Sequence, residues 1–266
     1  MIDKVKIAQS FSRSANTYDS VAYLQRDIGG QLIELIQSTV LDNTGITQCL
    51  DLGCGTGFFQ DSLQTYFSQA NHFACDLAVG MLSHIKKNQT KQVQLAAADA
   101  ENLPFVEDSF DFIFSNLALQ WCEDLDAVFA EAYRVLQAGG YFCLSTLGPK
   151  TLYELKESWE QVDEHQHVNG FKEDQYWLNA AKAQGFSVEQ HRVKPECLYF
   201  DTIKQLTYEL KQLGAHNMNA GQAKSLTSRQ RWHGLQQAYQ TFCNARGQFP
   251  ATYEVYYYCL RKNSAG

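Results

Sequence analysis

The chain has 266 residues, of which 45% are apolar and 19% charged, an ordinary globular mix that excludes wholesale disorder and rod-like repeats. Its formal net charge of −7 argues against a general nucleic-acid binder. No apolar run approaches the roughly 18–20 residues of a membrane-spanning helix, and the charged, amphipathic opening has no signal-peptide core, so a cytoplasmic location away from membranes is expected.

Apolar spacing predicts helices over residues 4–15 and 20–40, with Leu24, Ile28, Leu32, Leu35 and Ile36 on one face of the second. Asn43-Thr-Gly45 reads as a turn. A short strand over 47–52 then runs into a glycine cluster. Beyond it the pattern alternates: helix 58–67, strand 72–75, helix 78–87, strands 93–98 and 110–115, helix 125–136. Gly139-Gly140 reads as a turn into a strand over 141–147. Such alternation implies βαβ units and a parallel sheet, whose ligands bind at the carboxyl ends of the strands.

After Leu147 the pattern changes. Residues 151–165 and 173–184 are amphipathic, and 186–200 is strand-like with an interruption at Pro195. Residues 201–213 and 228–245 read as helices, and 252–260 as a tyrosine-rich strand. Pairing the last two strands antiparallel at one sheet edge leaves the intervening helices as an insertion that overhangs the carboxyl edge. The expectation is one domain: N-terminal helices over 1–45, a ligand-binding core over 46–148 and a helical cap over 201–250.

Eight cysteines, at 49, 54, 75, 122, 143, 197, 243 and 259, show no CxxC spacing, so reduced, buried thiols are expected and neither a disulfide framework nor a metal site is. Charge is uneven. Residues 1–181 hold 11 Lys+Arg against 24 Asp+Glu, whereas residues 182–266 hold 11 against 5. A basic C-terminal third can steer an acidic partner, or simply be a solvated face.

The decisive stretch is Leu50-Asp-Leu-Gly53-Cys-Gly55-Thr-Gly57-Phe58. Glycines at a strand-to-helix turn let the backbone approach a ligand and aim helix N-terminal N–H groups at negative charge. Asp76 closes the next strand, about where an acidic residue takes ribose hydroxyls. A nicotinamide-binding turn would read GxGxxG; the spacing here is GxGxG. Taken singly, these residues also have plain structural roles. Asp51 can orient the loop, Asp76 can cap a helix, Asp99 can end a strand and Met81 can fill the core.

Asp51 with the glycines resembles motif I of the class I methyltransferases, which implies a Rossmann-like, mostly parallel sheet and S-adenosylmethionine as cofactor. On that resemblance Asp51, Gly53, Cys54 and Gly55 form the cofactor turn. Asp76, Leu77 and Met81 form the ribose loop and adenine wall. Asp99 and Ala100 meet the adenine edge, and Asn116 and Leu117 follow the fourth strand. The flanks narrow the resemblance. Phe11-Ser-Arg-Ser-Ala-Asn-Thr-Tyr18-Asp19, Gln25, Ser115–Cys122, Ala132–Leu136, Phe142–Leu147, Trp159–Asp163, Leu210–Ala215 and Phe249–Tyr253 resemble the malonyl-acyl-carrier-protein O-methyltransferases of biotin synthesis (the BioC family). One departure is Gln222, where that family often has Arg.

The resemblance implies methyl transfer to the free carboxylate of malonyl on acyl-carrier protein, leaving S-adenosylhomocysteine. Tyr18 and Gln25 then join the cofactor site, and Tyr18, Gln120, Trp121, Lys211 and His216 the acceptor side. A carboxylate is ionised at pH 7 and needs no general base, so no catalytic side chain is assigned. The seven histidines form no motif. The rival reading is a carboxyl or carbon methyltransferase acting on a free small acid or quinone precursor; a further one is a non-enzymatic adenosyl-binding module.

Overall fold

The computed structural model describes residues 3–88, 92–213 and 228–263. α1 (Lys4–Ser14) is capped by Asp3, whose carboxylate accepts from the Lys6 N–H. The helix expected over 20–40 divides at Ala22 into α2 (Tyr18–Val21) and α3 (Tyr23–Thr39). The cause is local. The Arg26 guanidinium donates to the Asp19 carbonyl, the acceptor that a continuous helix would need for the Tyr23 N–H. The expected apolar face of α3 is buried throughout.

Seven strands follow: β1 (Gln48–Leu52), β2 (Asn71–Asp76), β3 (Gln94–Ala97), β4 (Phe110–Asn116), β5 (Leu136–Leu147), β6 (Phe186–Phe200) and β7 (Phe249–Lys262). They form one sheet in the order β3-β2-β1-β4-β5-β7-β6. The first five neighbours are parallel, and β7 runs antiparallel to both β5 and β6. α4 (Gln60–Tyr66), α5 (Val79–Asn88) and α6 (Leu125–Val135) are the crossovers. The order reverses between β1 and β4, so a crevice opens at their carboxyl ends.

Three expectations are corrected. Gly139-Gly140 does not precede the fifth strand but lies inside β5, where the register jumps from Phe110 opposite Leu136 to Phe112 opposite Tyr141. Gly139, at φ 82°, absorbs the extra residues as a bulge. Pro195 does not interrupt β6, which pairs with β7 on both sides of it. β6 is an edge strand, where a missing N–H leaves no ladder bond unmade. The helix expected over 151–165 shrinks to α7 (Tyr153–Glu160). The Val162 N–H tightens to an i→i−3 bond on the Trp159 carbonyl, which the Asp163 N–H shares as a last i→i−4 bond, and the Asp163 carboxylate then draws the His165 N–H into a local turn.

α8 (Asp174–Ala183) packs with α6 on one face of the sheet. α9 (Ile203–Gln212) and α10 (Arg229–Tyr239) lie between β6 and β7 in sequence; α10 packs on α7 and α9 reaches α2. The two faces of the sheet carry separate buried clusters, one around Ile28, Phe114 and Tyr257, the other around Ile113, Phe129 and Trp177. All eight cysteines are free; Cys49, Cys75, Cys143 and Cys259 are buried, whereas Cys197 is exposed. Among the described residues no helix is long and apolar enough to cross a membrane.

Candidate functional site

The chain leaves β1 through Gly53, Gly55 and Gly57, whose φ angles are 75°, 54° and 78°. These left-handed values favour glycine. A Cβ on Gly53 would stand 2.2 Å from that of Ala118, whereas one on Gly55 would meet nothing within 4 Å and project into open space beside the crevice. The Gly53 and Cys54 N–H groups donate to the Cys75 carbonyl at 2.8 and 3.0 Å, which pins the loop to β2. Asp76 ends that strand. Its two oxygens accept from the Gly55 N–H at 2.9 Å and the Ala78 N–H at 2.7 Å. Burial pushes the Asp76 carboxyl up, and those two N–H bonds partly offset the rise.

Asp51 sits under the loop, 3% exposed, and accepts from the Gln60 amide at 2.6 Å. Burial pushes its carboxyl up to about 7; the Gln60 bond opposes this and the Asp76 charge adds to it. Neither Asp51 nor Cys54 lines the two cavities that adjoin the loop. One supports the turn and the other belongs to its backbone.

A first cavity lies over the loop. Of the expected cofactor residues, Gly53, Gly55, Asp76, Leu77, Met81, Asp99, Ala100, Asn116 and Leu117 line it, and Tyr18 closes it from α2. Two residues that sequence reasoning did not single out, Lys4 and Ile7, join them from α1. The Lys4 ammonium meets Asp99 at 2.6 Å and Glu101 at 2.7 Å, so α1 is tied across the cavity by charge. Asn116 donates to the Gln25 carbonyl at 3.0 Å and accepts from the Ser145 hydroxyl at 2.7 Å, locking β4 to α3.

A second cavity adjoins the first. Gln25, Gln120 and Lys211 line it, together with apolar side chains of α7 and α9 such as Leu155, Trp159 and Leu210. Gln25, expected at the cofactor, therefore faces the other chamber. Phe11, Tyr18, Leu117 and Trp121 line both cavities and form the junction. Phe11 meets Trp121 edge-on with centroids 5.5 Å apart, and Tyr18 at 6.4 Å. Tyr18 is held neutral there, because burial and the nearby Asp76 and Asp19 charges push its hydroxyl above the usual range. Leu117 has φ 49°, a strained value for leucine, and the Gln120 amide clamps its carbonyl at 2.6 Å. The Oε1 atoms of Gln25 and Gln120 are buried without a partner among the described residues. Such atoms in a chamber wall are free to accept from water or from a bound molecule.

His216 lies outside the described residues, as do Gln222 and the part after Leu213 of the segment that carries the resemblance. His167, which no sequence motif marks, lines the second cavity. Among the described residues no three His, Cys, Asp or Glu side chains gather into a group that could hold a metal ion.

The geometry can be set beside known proteins. Residues 50–144 match the family model described as "Methyltransferase domain". The chain is 44% identical over 261 residues to the biotin biosynthesis bifunctional protein BioHC of Cellvibrio japonicus, covering 98% of this chain and 51% of that one. It is 35% identical over 265 residues to the malonyl-[acyl-carrier protein] O-methyltransferase of Gallionella capsiferriformans, covering 97% of this chain and 90% of that one. The chain thus spans about half the length of the BioHC relatives it matches and nearly all of the single-function ones. Among solved structures, a Haemonchus contortus phosphoethanolamine N-methyltransferase, held with phosphomonomethylethanolamine and S-adenosylhomocysteine, superposes with a TM-score of 0.53. The match covers 88% of this chain and 53% of that one at 21% identity, and it shows the shared class I methyltransferase fold.

Proposed function

The chain belongs to the malonyl-[acyl-carrier protein] O-methyltransferase family, and from that premise we propose that it methylates the free carboxylate of a malonyl thioester carried by acyl-carrier protein, as a cytoplasmic step toward biotin. The observation that carries the reading is the pair of adjoining cavities with a shared wall at Tyr18, Leu117 and Trp121. One chamber has features that suit an adenosyl cofactor: an open glycine face, a carboxylate at the end of β2 for ribose hydroxyls, and an apolar wall at Met81. S-adenosylmethionine, when bound, supplies a methyl carbon that bonds to a carboxylate oxygen while the carbon–sulfur bond breaks and its electron pair stays on sulfur.

No proton moves in that step, so the chain's own residues need only bind, align and dry the reactants. Tyr18, Phe11 and Trp121 supply an apolar junction, where a carboxylate sheds water and becomes more nucleophilic. Gln120 fixes the strained Leu117 that shapes the opening. Lys211 lines the second cavity yet is exposed, so it stands at the rim, where an anionic phosphopantetheine arm would pass. The basic C-terminal third favours an acidic carrier, and Lys204 and Arg229 make no ion pair among the described residues, whereas Lys194 is neutralised by Glu196 at 2.6 Å.

The test is a transfer assay with labelled S-adenosylmethionine against carrier-held and free acids. Label should appear on malonyl-carrier as a base-labile methyl ester. Label on a free small acid or a quinone precursor instead would overturn the reading.

A further inference from the structure

The first cavity has one wall of a different kind. Most of its lining comes from the carboxyl ends of β1, β2, β3 and β4 and the segments just after them, which the sheet holds, whereas Lys4, Ile7 and Phe11 belong to α1. Of α1 itself, only Ile7 and Ser10 are buried. Phe11 and Tyr18 pack on a small cluster of Ala15, Ala78 and Met81, separate from the two large clusters on the faces of the sheet.

Charge fixes the first turn of α1. The Lys4 ammonium meets Asp99 Oδ2 and Glu101 Oε2 together. The other oxygens of these carboxylates are already held. Asp99 Oδ1 accepts from the Glu101 N–H at 3.1 Å, and Glu101 Oε1 from the Glu123 and Asp124 N–H groups at 2.7 and 3.2 Å. Two carboxylates held side by side repel each other, and a cation between them relieves the repulsion. Burial alone would lower the Lys4 value, but Asp99 and Glu101 outweigh it and raise it, so the ammonium keeps its charge at neutral pH.

Close approach fixes the other end. The Gly80 N–H of α5 donates to the Ser12 hydroxyl at 3.1 Å, and a Cβ on Gly80 would stand 2.6 Å from both Cα and Cβ of Ser12. α2 is attached elsewhere: the Asp19 carboxylate accepts from the Thr56 hydroxyl of the glycine loop at 2.7 Å. The turn at residues 15–17 therefore joins a helix pinned to the loop and a helix held by a charge pair and a glycine seat. These contacts are made between protein groups alone, so they hold α1 in place with or without a ligand. Resting on the reading that this cavity takes S-adenosylmethionine, we propose that α1 is the gate of the cofactor chamber. Lys4 latches it on Asp99 and Glu101, Ser12 seats it on Gly80, and the spent cofactor leaves when α1 swings about residues 15–17.

A gate and a fixed wall differ in their kinetics. Loosening a gate that is closed in both free and bound protein speeds entry and exit alike, so Kd hardly moves. Damaging a fixed wall speeds exit alone, and Kd weakens in proportion. The experiment measures association of S-adenosylhomocysteine by stopped-flow tryptophan fluorescence, with Trp121 in the cavity wall, and its dissociation by chasing labelled ligand. Lys4→Met keeps the alkyl stem and deletes the charge. Both rates should rise about fivefold, and Lys4→Arg should restore them. Gly80→Ala touches neither the ion pair nor the cavity lining and should also raise both rates. S-adenosylhomocysteine carries no net charge, so rising salt should speed both rates in the parent by screening the latch and leave Lys4→Met nearly unchanged. Circular dichroism reports that each variant is folded. If the parent binds the ligand and either folded variant leaves both rates alone, or speeds dissociation without association, α1 is a fixed wall and the inference is overturned while the cofactor reading stands. If the parent binds neither S-adenosylhomocysteine nor S-adenosylmethionine, the cofactor reading falls and the inference falls with it.

Discussion

The two cavities that meet at Tyr18, Leu117 and Trp121 are built in different ways. The first is made largely of backbone. Its floor is a loop of left-handed glycines pinned to β2, and its walls are the ends of consecutive strands. The second is made of side chains from segments far apart in sequence, namely α3, the loop after β5, α7, the loop that follows it, and α9. The first should therefore tolerate little change at a few positions, whereas the second spreads its binding over many contacts that each matter less.

The sharpest break of that contrast is at Gly53. Gly53→Ala adds a Cβ 2.2 Å from Ala118 at φ 75°. Backbone strain alone costs about 1–3 kcal/mol, and the clash adds to it. Calorimetry should show S-adenosylhomocysteine affinity falling by at least about 3 kcal/mol; unchanged affinity would mean that the loop does not hold the cofactor. Gly30→Ala is the control. Gly30 lies inside α3 with nothing within 4 Å of an added Cβ, so alanine should stabilise the protein by about 0.5–1 kcal/mol and leave cofactor affinity alone.

Next in size is Asp76→Ala, which should weaken cofactor binding by about 1.5–3 kcal/mol through loss of charge-assisted ribose contacts. KM for the acceptor at saturating cofactor should hardly move. A variant that binds S-adenosylhomocysteine as the parent does would reduce Asp76 to a helix cap.

Asp51 sharpens the same side of the contrast through pH. Its folded-state value of about 7 lies above the ordinary carboxylate value. The folded state then holds the proton more tightly than the unfolded one, so the stability from this group is full below about pH 4 and is lost as pH rises through about 7. Asp51→Asn should remove this dependence, and the parent should lose on the order of 2 kcal/mol relative to the variant between pH 5 and 8. Parallel denaturation curves for the two proteins across that range would contradict the burial argument.

The same division explains what was legible in the sequence. Spacing among Gly53, Gly55, Gly57 and Asp76 is short-range, and the backbone geometry that it encodes is short-range too. Leu24 to Ile36 likewise reported a buried helix face by period alone. The split at Ala22 was not legible, because it depends on where the Arg26 side chain ends up. Nor was the early end of α7, which depends on competing bonds at Asp163. His167 lay hidden for the same reason. Nothing near it in sequence forms a motif, and its setting arises only when Trp159 and Asp163 are folded against it. Gln25 is divided between the two: its backbone carbonyl accepts from Asn116, which lines the first cavity, while Gln25 itself lines the second.

The acceptor half should give the smallest effects. Charge reversal at Lys204 and Arg229 should raise the apparent KM for malonyl-carrier, each exposed charge contributing under about 1 kcal/mol. Turnover of a short malonyl thioester should stay as it was, and rising salt should mimic the reversal. Equal behaviour toward both substrates would make the basic third a solvated face. Smallest of all is the effect of pH on chemistry. At saturating cofactor and acceptor, the single-turnover rate should be flat between pH 6 and 8, because the acceptor is already ionised. A steep rise in a folded enzyme would reveal a general base.

The central claim is that cofactor and carrier-held acceptor occupy separate, adjoining chambers. Its most direct test is equilibrium binding of malonyl-carrier to protein saturated with S-adenosylhomocysteine. Two chambers predict a ternary complex, with carrier affinity equal to or greater than that of the free protein. Mutual exclusion, with S-adenosylhomocysteine displacing the carrier, would show that the two ligands compete for one site and would contradict the account.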